Sequence, residues 1–420
     1  MLDALKTADW LTPLILKSIA CLLLATSIIL FVCLLATANG PYDLNGRLLG
    51  TDYSAFWSAG RQALEGHAGD AYNLAKQDAF LDQAFGGPST PLTAWLHPPL
   101  FYLIVTPFAL MPYLVSLGCW LGFGFAAYVF TARQFDRSWT ALALALAYPA
   151  VWNNAAHGQT GLFFAALIAG AMMSLRSRPA LAGLLIGLMA IKPQLGVLIP
   201  IALLAGGHHK AFASAAATVI MMALIATIAL GPLIWIDFFQ ATAISRGDIL
   251  ERGDVGWEKF QSAFAIVRLW GGAVPLAYMI QASLFLAVAL ATYWVWSRPI
   301  DRRLQYAVLI SGSCLATPYL FDYDLAILAP ALAWTSLHAM ERGFLSYEKV
   351  CLLLIWLAPM AAREVVDEYA IPVGLLATLS LFALIIYRAW QDNLDQTEPV
   401  TSAERRVGVL ASQYRKSTRQ

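Results

Sequence analysis

The sequence has few charged residues: Asp, Glu, Lys and Arg make up only 13% of its 420 residues. Soluble globular proteins contain about 25% charged residues, so this composition argues against a soluble fold. The hydrophobic share of 59% and the aromatic share of 12% also exclude a disordered chain, because such chains are highly charged and poor in aromatic residues. Apolar runs recur along most of the chain at lengths that can cross a bilayer, which indicates a polytopic membrane protein.

Several function classes are excluded by what the sequence lacks. The net charge of +1 provides no clustered basic surface, so no nucleic-acid partner is expected. Walker A, GxSxG, HExxH and clustered Cys/His motifs do not occur in a usable context, so no metal site or other cofactor is predicted, although the sequence leaves a divalent metal open. The cysteines all lie in apolar stretches, which predicts buried free thiols: Cys21, Cys33, Cys119, Cys314 and Cys351.

Basic residues set the predicted orientation of the chain in the membrane. The first apolar segment, residues 11–38, is too long for a cleaved signal peptide and is predicted to be a retained signal anchor. Lys and Arg then mark every second connection between apolar segments, beginning with Arg133 and Arg137. The positive-inside rule makes these connections cytoplasmic, which predicts about twelve transmembrane helices with both termini inside.

This pattern predicts an all-α transmembrane domain over residues 1–390 and a polar, disordered cytoplasmic tail over residues 391–420. Within the domain, residues 39–97 form the first periplasmic loop and include helices that lie along the membrane interface. Residues 98–111 are apolar, but the stretch is short and bracketed by prolines. A full crossing there would invert every later loop against the charge pattern, so the segment is predicted to be re-entrant.

Asp52 and Lys192 are the charged residues that orientation explains least. Asp52 begins an aromatic, amphipathic stretch after the first span. Its carboxylate could act as a general base on a hydroxyl group, or it could only cap a helix. Lys192 lies in the otherwise apolar stretch 179–205, where Pro193 predicts a break between two short helices. An intramembrane lysine costs about 3 kcal/mol and needs a partner, for example a lipid-linked phosphate, unless it snorkels to the surface.

Three further polar segments fall on the same, outer side. His97 could bind a phosphate or a substrate hydroxyl, or be a solvated loop histidine. His157 and Gln159 could bind sugar hydroxyls or a lipid-linked phosphate, or belong to an ordinary polar turn. Asp322 and Asp324 could share acid–base chemistry or hold a metal, or cap a helix in solvent. Their two-residue spacing, with no obvious third ligand, is weak evidence for a metal.

Together, these segments resemble glycosyltransferase family 87, polytopic enzymes of the glycosyltransferase-C superfamily. The resemblance implies a glycosyltransferase-C-like bundle in the bacterial inner membrane. It also implies inverting transfer of a hexose, with mannose favoured, from a polyprenyl-phosphate carrier to a lipid or glycan acceptor at the periplasmic face. The matching segments, in order over roughly residues 45–330, are Thr51-Asp52-Tyr53, Ser58-Ala59-Gly60-Arg61, His97-Pro98-Pro99-Leu100, His157-Gly158-Gln159, and Ala182-Gly183 through Ile191-Lys192-Pro193.

The resemblance also implies roles for individual residues. Asp52 becomes the base that deprotonates the acceptor hydroxyl. Mycobacterial members of the family place a histidine where this chain has Phe321-Asp322-Tyr323-Asp324, which leaves the acceptor and the donor sugar open. Residues expected to bind the donor phosphate or sugar are Lys192, His157, Gln159, His97 and Arg61, and those expected to bind the acceptor or sugar are Tyr53, Tyr319, Asp322 and Asp324.

Two other functions stay open from the residues themselves. A transporter or flippase of lipid-linked sugars would need the cavity and Lys192, but it would not need Asp52 as a base. A non-catalytic membrane subunit would need neither residue. Membrane lipids surround the protein in every case.

Overall fold

The computed structural model of the protein describes residues 2–86 and 95–397. This part of the chain is helical and contains no β-strand, only three isolated β-bridges, which confirms the predicted all-α fold. Numbered in chain order, the α-helices are α1 (Leu2–Thr7), α2 (Pro13–Ala36), α3 (Tyr53–Leu64), α4 (Leu74–Phe85), α5 (Tyr102–Ala109), α6 (Tyr113–Phe135), α7 (Trp139–Leu146), α8 (Pro149–His157), α9 (Gly161–Ser174), α10 (Pro179–Leu188), α11 (Ile199–Ala205), α12 (His209–Leu230), α13 (Ile234–Ile244), α14 (Ala263–Leu269), α15 (Val274–Trp296), α16 (Arg302–Ala316), α17 (Ala329–Arg342), α18 (Glu348–Leu357), α19 (Glu364–Tyr369) and α20 (Val373–Thr397).

Five of these helices, α2, α6, α12, α15 and α20, are long and apolar enough to cross a membrane. Several other predicted spans are instead divided into shorter helical pieces, so the count of about twelve stays a prediction. The connecting pieces are 3-10 helices at Ala68–Tyr72, Pro99–Phe101, Met189–Ile191, Pro193–Leu195, Trp257–Lys259, Asp322–Leu328 and Ala358–Met360, and a π-helix at Ser245–Arg252.

Proline interrupts the helical structure at two places, one unexpected and one predicted. The sequence predicts one span over residues 139–152, but α7 ends at Leu146 and α8 begins at Pro149. Tyr148 is extended there, with ψ of 116°, because a residue that precedes proline avoids the helical conformation. The predicted break at Lys192-Pro193 is confirmed: Lys192 has φ of −130° and ψ of 76° and separates two 3-10 turns.

The first predicted outer loop forms a packed layer of helices. The stretch that begins at Asp52 is helical, as predicted, and its helix α3 packs against α5 rather than standing alone. Gly60 makes this close approach possible, because a Cβ atom there would lie 2.7 Å from the Cβ atom of Ala109 and 3.1 Å from the carbonyl oxygen of Val105. The re-entrant path predicted for residues 98–111 stays a prediction.

Two sequence predictions need correction. Helix α20 continues to Thr397, so the first residues of the predicted disordered tail are helical, and residues 398–420 lie outside the described part. Asp392 explains this extension, since its carboxylate accepts the backbone N–H of Asp301 at 2.7 Å and pairs with Arg342. The five cysteines are free, as predicted, but only Cys314 is buried in the protein. The thiols on α2 are exposed because that helix buries little of its surface.

Candidate functional site

Asp52 lies at the position that precedes α3, but its side chain does not cap the helix. Its backbone N–H donates to the carbonyl oxygen of His157 at 3.1 Å, which ties the first loop to the α8–α9 turn. Its carboxylate oxygen Oδ2 accepts the Nε2 amide of Gln159 at 2.7 Å. The Thr51 hydroxyl lies 3.4 Å from the other oxygen, Oδ1. The helix-cap interpretation of Asp52 is therefore wrong, because the carboxylate turns toward Gln159 and away from the helix N-terminus.

Lys192 is buried and paired. Only 5% of its side chain is exposed, so the alternative that it snorkels to the surface is wrong. Its ammonium group donates to Asp324 Oδ1 at 2.8 Å and to Gln159 Oε1 at 3.1 Å, and it lies 5.4 Å from the centre of the Tyr323 ring. Lys192 lies at the break in the helix, where the backbone between two 3-10 turns is not helical.

The two acidic residues of the 3-10 helix Asp322–Leu328 face different cations. Asp324 pairs with Lys192, and Asp322 pairs with Arg363 at 2.7 Å. Both carboxylates are buried, so the interpretation as a solvated helix cap is wrong. The two carboxylates therefore do not bind the same cation. Within residues 2–86 and 95–397, no group of three or more His, Cys, Asp or Glu side chains is arranged to hold a metal.

Arg363 is a site residue that the sequence reasoning missed. It lies just before α19. Its Nε atom donates to Asp322 Oδ2 at 2.7 Å, and its Nη2 atom lies 2.7 Å from the same oxygen. Burial lowers the pKa of Arg363, but the charge and hydrogen bond of Asp322, together with the charges of Glu364 and Asp52, raise this pKa by more, so the guanidinium stays charged. A signal for it existed in the sequence. The alternation of basic loops places residues 362–369 on the outer side, where the positive-inside rule does not explain an arginine.

His157 and Tyr323 complete the wall beside Arg363. The Nδ1 atom of His157 lies 2.9 Å from the carbonyl oxygen of Asn153 and must therefore carry the hydrogen, which leaves Nε2 as an acceptor. That Nε2 atom lies 3.5 Å from Arg363 Nη2. The Tyr323 ring lies between His157 and Lys192, 5.4 Å from the His157 ring centre. The sequence reasoning also missed Tyr323, although it stands between the two acids that were singled out.

His97 lies on the other side of Lys192. Its Nδ1 atom donates to the carbonyl oxygen of Ile191 at 3.1 Å, and its ring packs against Phe56, Trp95 and Phe101. Burial, followed by the nearby Lys192 charge, lowers the pKa of His97 to about 3. The imidazole is therefore neutral, and this aromatic enclosure contradicts the interpretation as a solvated loop histidine.

Three predicted residues are not brought to this cluster. The Tyr53 hydroxyl bonds to the Ser116 hydroxyl within the aromatic core. Arg61 pairs with Glu65 at 3.4 Å on the surface of α3. Tyr319 lines a cavity of about 400 Å³ on the surface formed by α13, the π-helix and α15. The binding roles of these three residues stay predictions, because the structure places their side chains away from the cluster.

The structure thus collects residues from six separated parts of the chain. The Lys192–Asp324 and Arg363–Asp322 ion pairs are each neutral as a pair, and no ion pair is formed by Asp52 among the described residues. This cluster can accept a proton at Asp52 and can present N–H donors to an anion. Besides Asp52, the predicted residues that it contains are His97, His157, Gln159, Lys192, Asp322 and Asp324.

Comparison with known proteins identifies the chain. A family model described as glycosyltransferase family 87 matches residues 95–318, a little more than half of the chain. This match includes His97, His157, Gln159 and Lys192, and it ends before Asp322. Curated proteins and solved structures yield no significant match. Given this match and the apolar helices that can cross a membrane, the chain belongs to glycosyltransferase family 87 and is a membrane glycosyltransferase.

Proposed function

We propose that the protein transfers a hexose, most simply mannose, from a polyprenyl-phosphate carrier to a hydroxyl group of a lipid or glycan acceptor. The reaction takes place at the periplasmic face of the bacterial inner membrane, within a glycosyltransferase-C-like helical bundle. One observation carries the proposal: the Asp52 carboxylate is partly exposed, forms no ion pair among the described residues, and is held by an amide at the edge of a buried charged cluster.

In the proposed step, Asp52 acts as the general base. It takes the proton from the acceptor hydroxyl while that oxygen forms a bond to the anomeric carbon of the sugar. The bond between the anomeric carbon and the phosphate oxygen breaks, and that oxygen keeps the electron pair. Polyprenyl phosphate leaves as the anion, the configuration at the anomeric carbon is inverted, and Asp52 later returns its proton to water. No protein nucleophile is needed, because the leaving group is already a stable anion.

The leaving phosphate needs positive charge or N–H donors close to it. Lys192 was the expected phosphate ligand, but it is buried against Asp324, and only 5% of its side chain is exposed. Arg363 is more accessible, with 28% of its side chain exposed, and its planar guanidinium matches phosphate geometry. We therefore assign the donor phosphate to Arg363, with His157 lying beside the guanidinium and Lys192 acting at longer range. This assignment revises the expectation from the sequence.

A lipid-linked donor also explains why the site is built from broken helices. Non-helical backbone is tolerated at membrane depth only where protein or a cavity shelters it, as at the Lys192 break. The polyprenyl tail can stay in the bilayer while its phosphate reaches the cluster. The predicted orientation, in which Arg133 and Arg137 are cytoplasmic, supports placing this cluster on the periplasmic side.

The test is a transfer assay with purified protein in lipid nanodiscs, labelled polyprenyl-phosphate mannose and glucose, and a bacterial lipid extract as acceptor. We expect Asp52→Asn to lower kcat by about 10²-fold or more, because general-base catalysis typically contributes that much. Asp70→Asn is the matched control, since Asp70 lies in the same loop and pairs with Lys76 on the surface.

Two outcomes would contradict the proposal. Transfer that persists in Asp52→Asn at the wild-type rate would exclude Asp52 as the base. Wild-type protein that transfers from no donor, yet moves labelled sugar lipids across vesicle membranes, would instead support the transporter alternative.

A further inference from the structure

Gln159 connects Asp52 to the buried ion pair. It follows Gly158, whose positive φ of 63° ends α8 and directs the chain across the cluster. Its Nε2 atom lies 2.7 Å from Asp52 Oδ2, and its Oε1 atom lies 3.1 Å from the Lys192 ammonium nitrogen. Lys192 in turn contacts Asp324 at 2.8 Å. The four side chains therefore form one chain of hydrogen bonds, and Asp52 is its partly exposed end.

The partners of Gln159 determine which way its amide points. An ammonium group has only donors, so the atom that faces Lys192 must be the amide oxygen. The backbone N–H of Thr160 also donates to this oxygen at 3.2 Å. The NH₂ group then donates to Oδ2 of Asp52. The Lys192 charge polarises the amide, which strengthens the bond to Asp52.

Several groups surround the Asp52 carboxylate besides Gln159. From its own loop, the Thr51 hydroxyl reaches Oδ1 at the longer distance of 3.4 Å. From the 3-10 helix Asp322–Leu328, the Tyr323 side chain interacts with the Asp52 carboxylate. The charges of Asp322 and Asp324 act on Tyr323 as well, and the Arg363 charge acts on Asp52. His157 contributes its backbone carbonyl oxygen to the Asp52 N–H. Gln159 makes the shortest side-chain hydrogen bond to Asp52 in the described part of the chain.

We infer that Gln159 is a positioning residue for the transfer reaction. It holds Oδ2 of Asp52 through the polarised amide and leaves Oδ1 to face the acceptor hydroxyl. The Lys192–Asp324 pair acts on Asp52 through Gln159. This inference rests on the proposed function and replaces the expectation that Gln159 contacts the donor.

Three roles for Gln159 predict different kinetics. A donor ligand would mainly affect KM for the donor. A merely structural residue would affect the thermal stability of the protein and the amount of folded enzyme. It would not change how kcat of the folded enzyme depends on pH. A positioning residue affects kcat and its pH profile, because the orientation and ionisation of the base matter in the transition state.

Two variants of Gln159 separate these roles. Gln159→Met keeps the volume but removes both hydrogen bonds, and we expect kcat to fall about tenfold to a hundredfold with KM for the donor within about twofold, since misplacement of a catalytic group costs on that scale. Gln159→Glu keeps a partner for Lys192 but places a second carboxylate against Asp52. We expect the acidic limb of its kcat–pH profile to move upward by about one pH unit or more, because neighbouring carboxylates resist joint ionisation.

Gln281→Met is the matched control. Gln281 is also a buried glutamine, and it bridges the backbone N–H of Phe264 at 3.2 Å and the carbonyl oxygen of Leu315 at 2.9 Å, in contact with none of the cluster residues. We expect this variant to lose thermal stability while kcat, KM and the pH profile of the folded enzyme stay at wild-type values.

The outcomes are distinguishable. A lower kcat in Gln159→Met together with the shifted profile of Gln159→Glu supports the inference. An unchanged pH profile in Gln159→Glu, or a raised donor KM with unchanged kcat in Gln159→Met, overturns it while the wild type still transfers. If the wild type transfers from no polyprenyl-phosphate sugar, the proposed function fails, and the inference fails with it.

Discussion

Lys192 shows what single residues contribute to this protein. Its position in an apolar stretch is visible in the sequence, and so is its need for a partner. Its partner Asp324 lies 132 residues away along the chain and is found only in the folded protein. The pairing also changes the interpretation of Lys192, because it holds the ammonium group in the interior, where only 5% of the side chain is exposed to a phosphate, against 28% for Arg363. The accessible cation beside His157 is Arg363, which the sequence reasoning did not single out.

The buried Lys192–Asp324 pair makes a prediction about stability. Lys192→Met leaves the Asp324 carboxylate without its counter-ion, and we expect a loss of about 3–5 kcal/mol in the free energy of unfolding, as for other broken buried pairs. The double variant Lys192→Met/Asp324→Leu replaces both charges with apolar groups and should regain most of that loss. The measurement is denaturant unfolding of the detergent-solubilised protein.

Asp324→Leu alone completes the cycle and serves as the control. If the effects of the two single substitutions simply add in the double variant, the two side chains do not interact, and the contact in the structure does not contribute to stability. The double variant should still lack wild-type transfer activity, because Gln159 then has no cation to orient it.

At the scale of elements, small residues decide how closely helices pack around the cluster. Gly183 and Gly187 lie four residues apart on α10 and face α12. A Cβ atom at Gly183 would lie 2.5 Å from the Cβ atom of Ser214 and 2.8 Å from the backbone nitrogen of Ala215. This spacing is the small-residue motif that allows two membrane helices to approach closely. The same helix α10 leads directly into the break at Lys192.

We expect Gly183→Ala to separate α10 from α12 and to lower the free energy of unfolding by about 1–3 kcal/mol, the usual cost of overpacking. Transfer activity should fall as well, since the displaced helix moves Lys192. Gly118→Ala on α6 is the matched control, because a Cβ atom at Gly118 would meet no atom within 4 Å. The control should be neutral or stabilising. A stable, fully active Gly183→Ala would show that the α10–α12 contact is looser than in this structure.

At the scale of the whole molecule, the cluster and the basic connections lie at opposite ends of α6. Tyr113, at the start of α6, donates its hydroxyl hydrogen to the carbonyl oxygen of Leu49, close to Asp52. Arg133 and Asp136 lie at the other end of this helix, which has 23 residues and is therefore about 35 Å long. This length matches the hydrocarbon core of a bilayer, so we expect the two ends to face opposite sides.

This arrangement predicts the reactivity of introduced cysteines. In a background in which the five native cysteines are replaced by alanine, Asn45→Cys and Asp136→Cys place single thiols at exposed positions on the two sides. A membrane-impermeant maleimide, applied to cells with a permeabilised outer membrane, should label the first variant and should not label the second. Labelling of Asp136→Cys should require disruption of the inner membrane. The reverse pattern would place the cluster on the cytoplasmic side.

The sequence by itself determined the membrane class, the all-helical fold, the break at Lys192-Pro193 and most residues of the cluster. These follow from composition, apolar periodicity, proline and the cost of charge in lipid, which act locally along the chain. The tertiary structure alone decided the partners: Asp324 for Lys192, Gln159 for Asp52 and Arg363 for Asp322. Such pairs join residues far apart in sequence, and only the packed helices determine their distances. The scarcity of charge identified the candidates, and folding assigned their contacts.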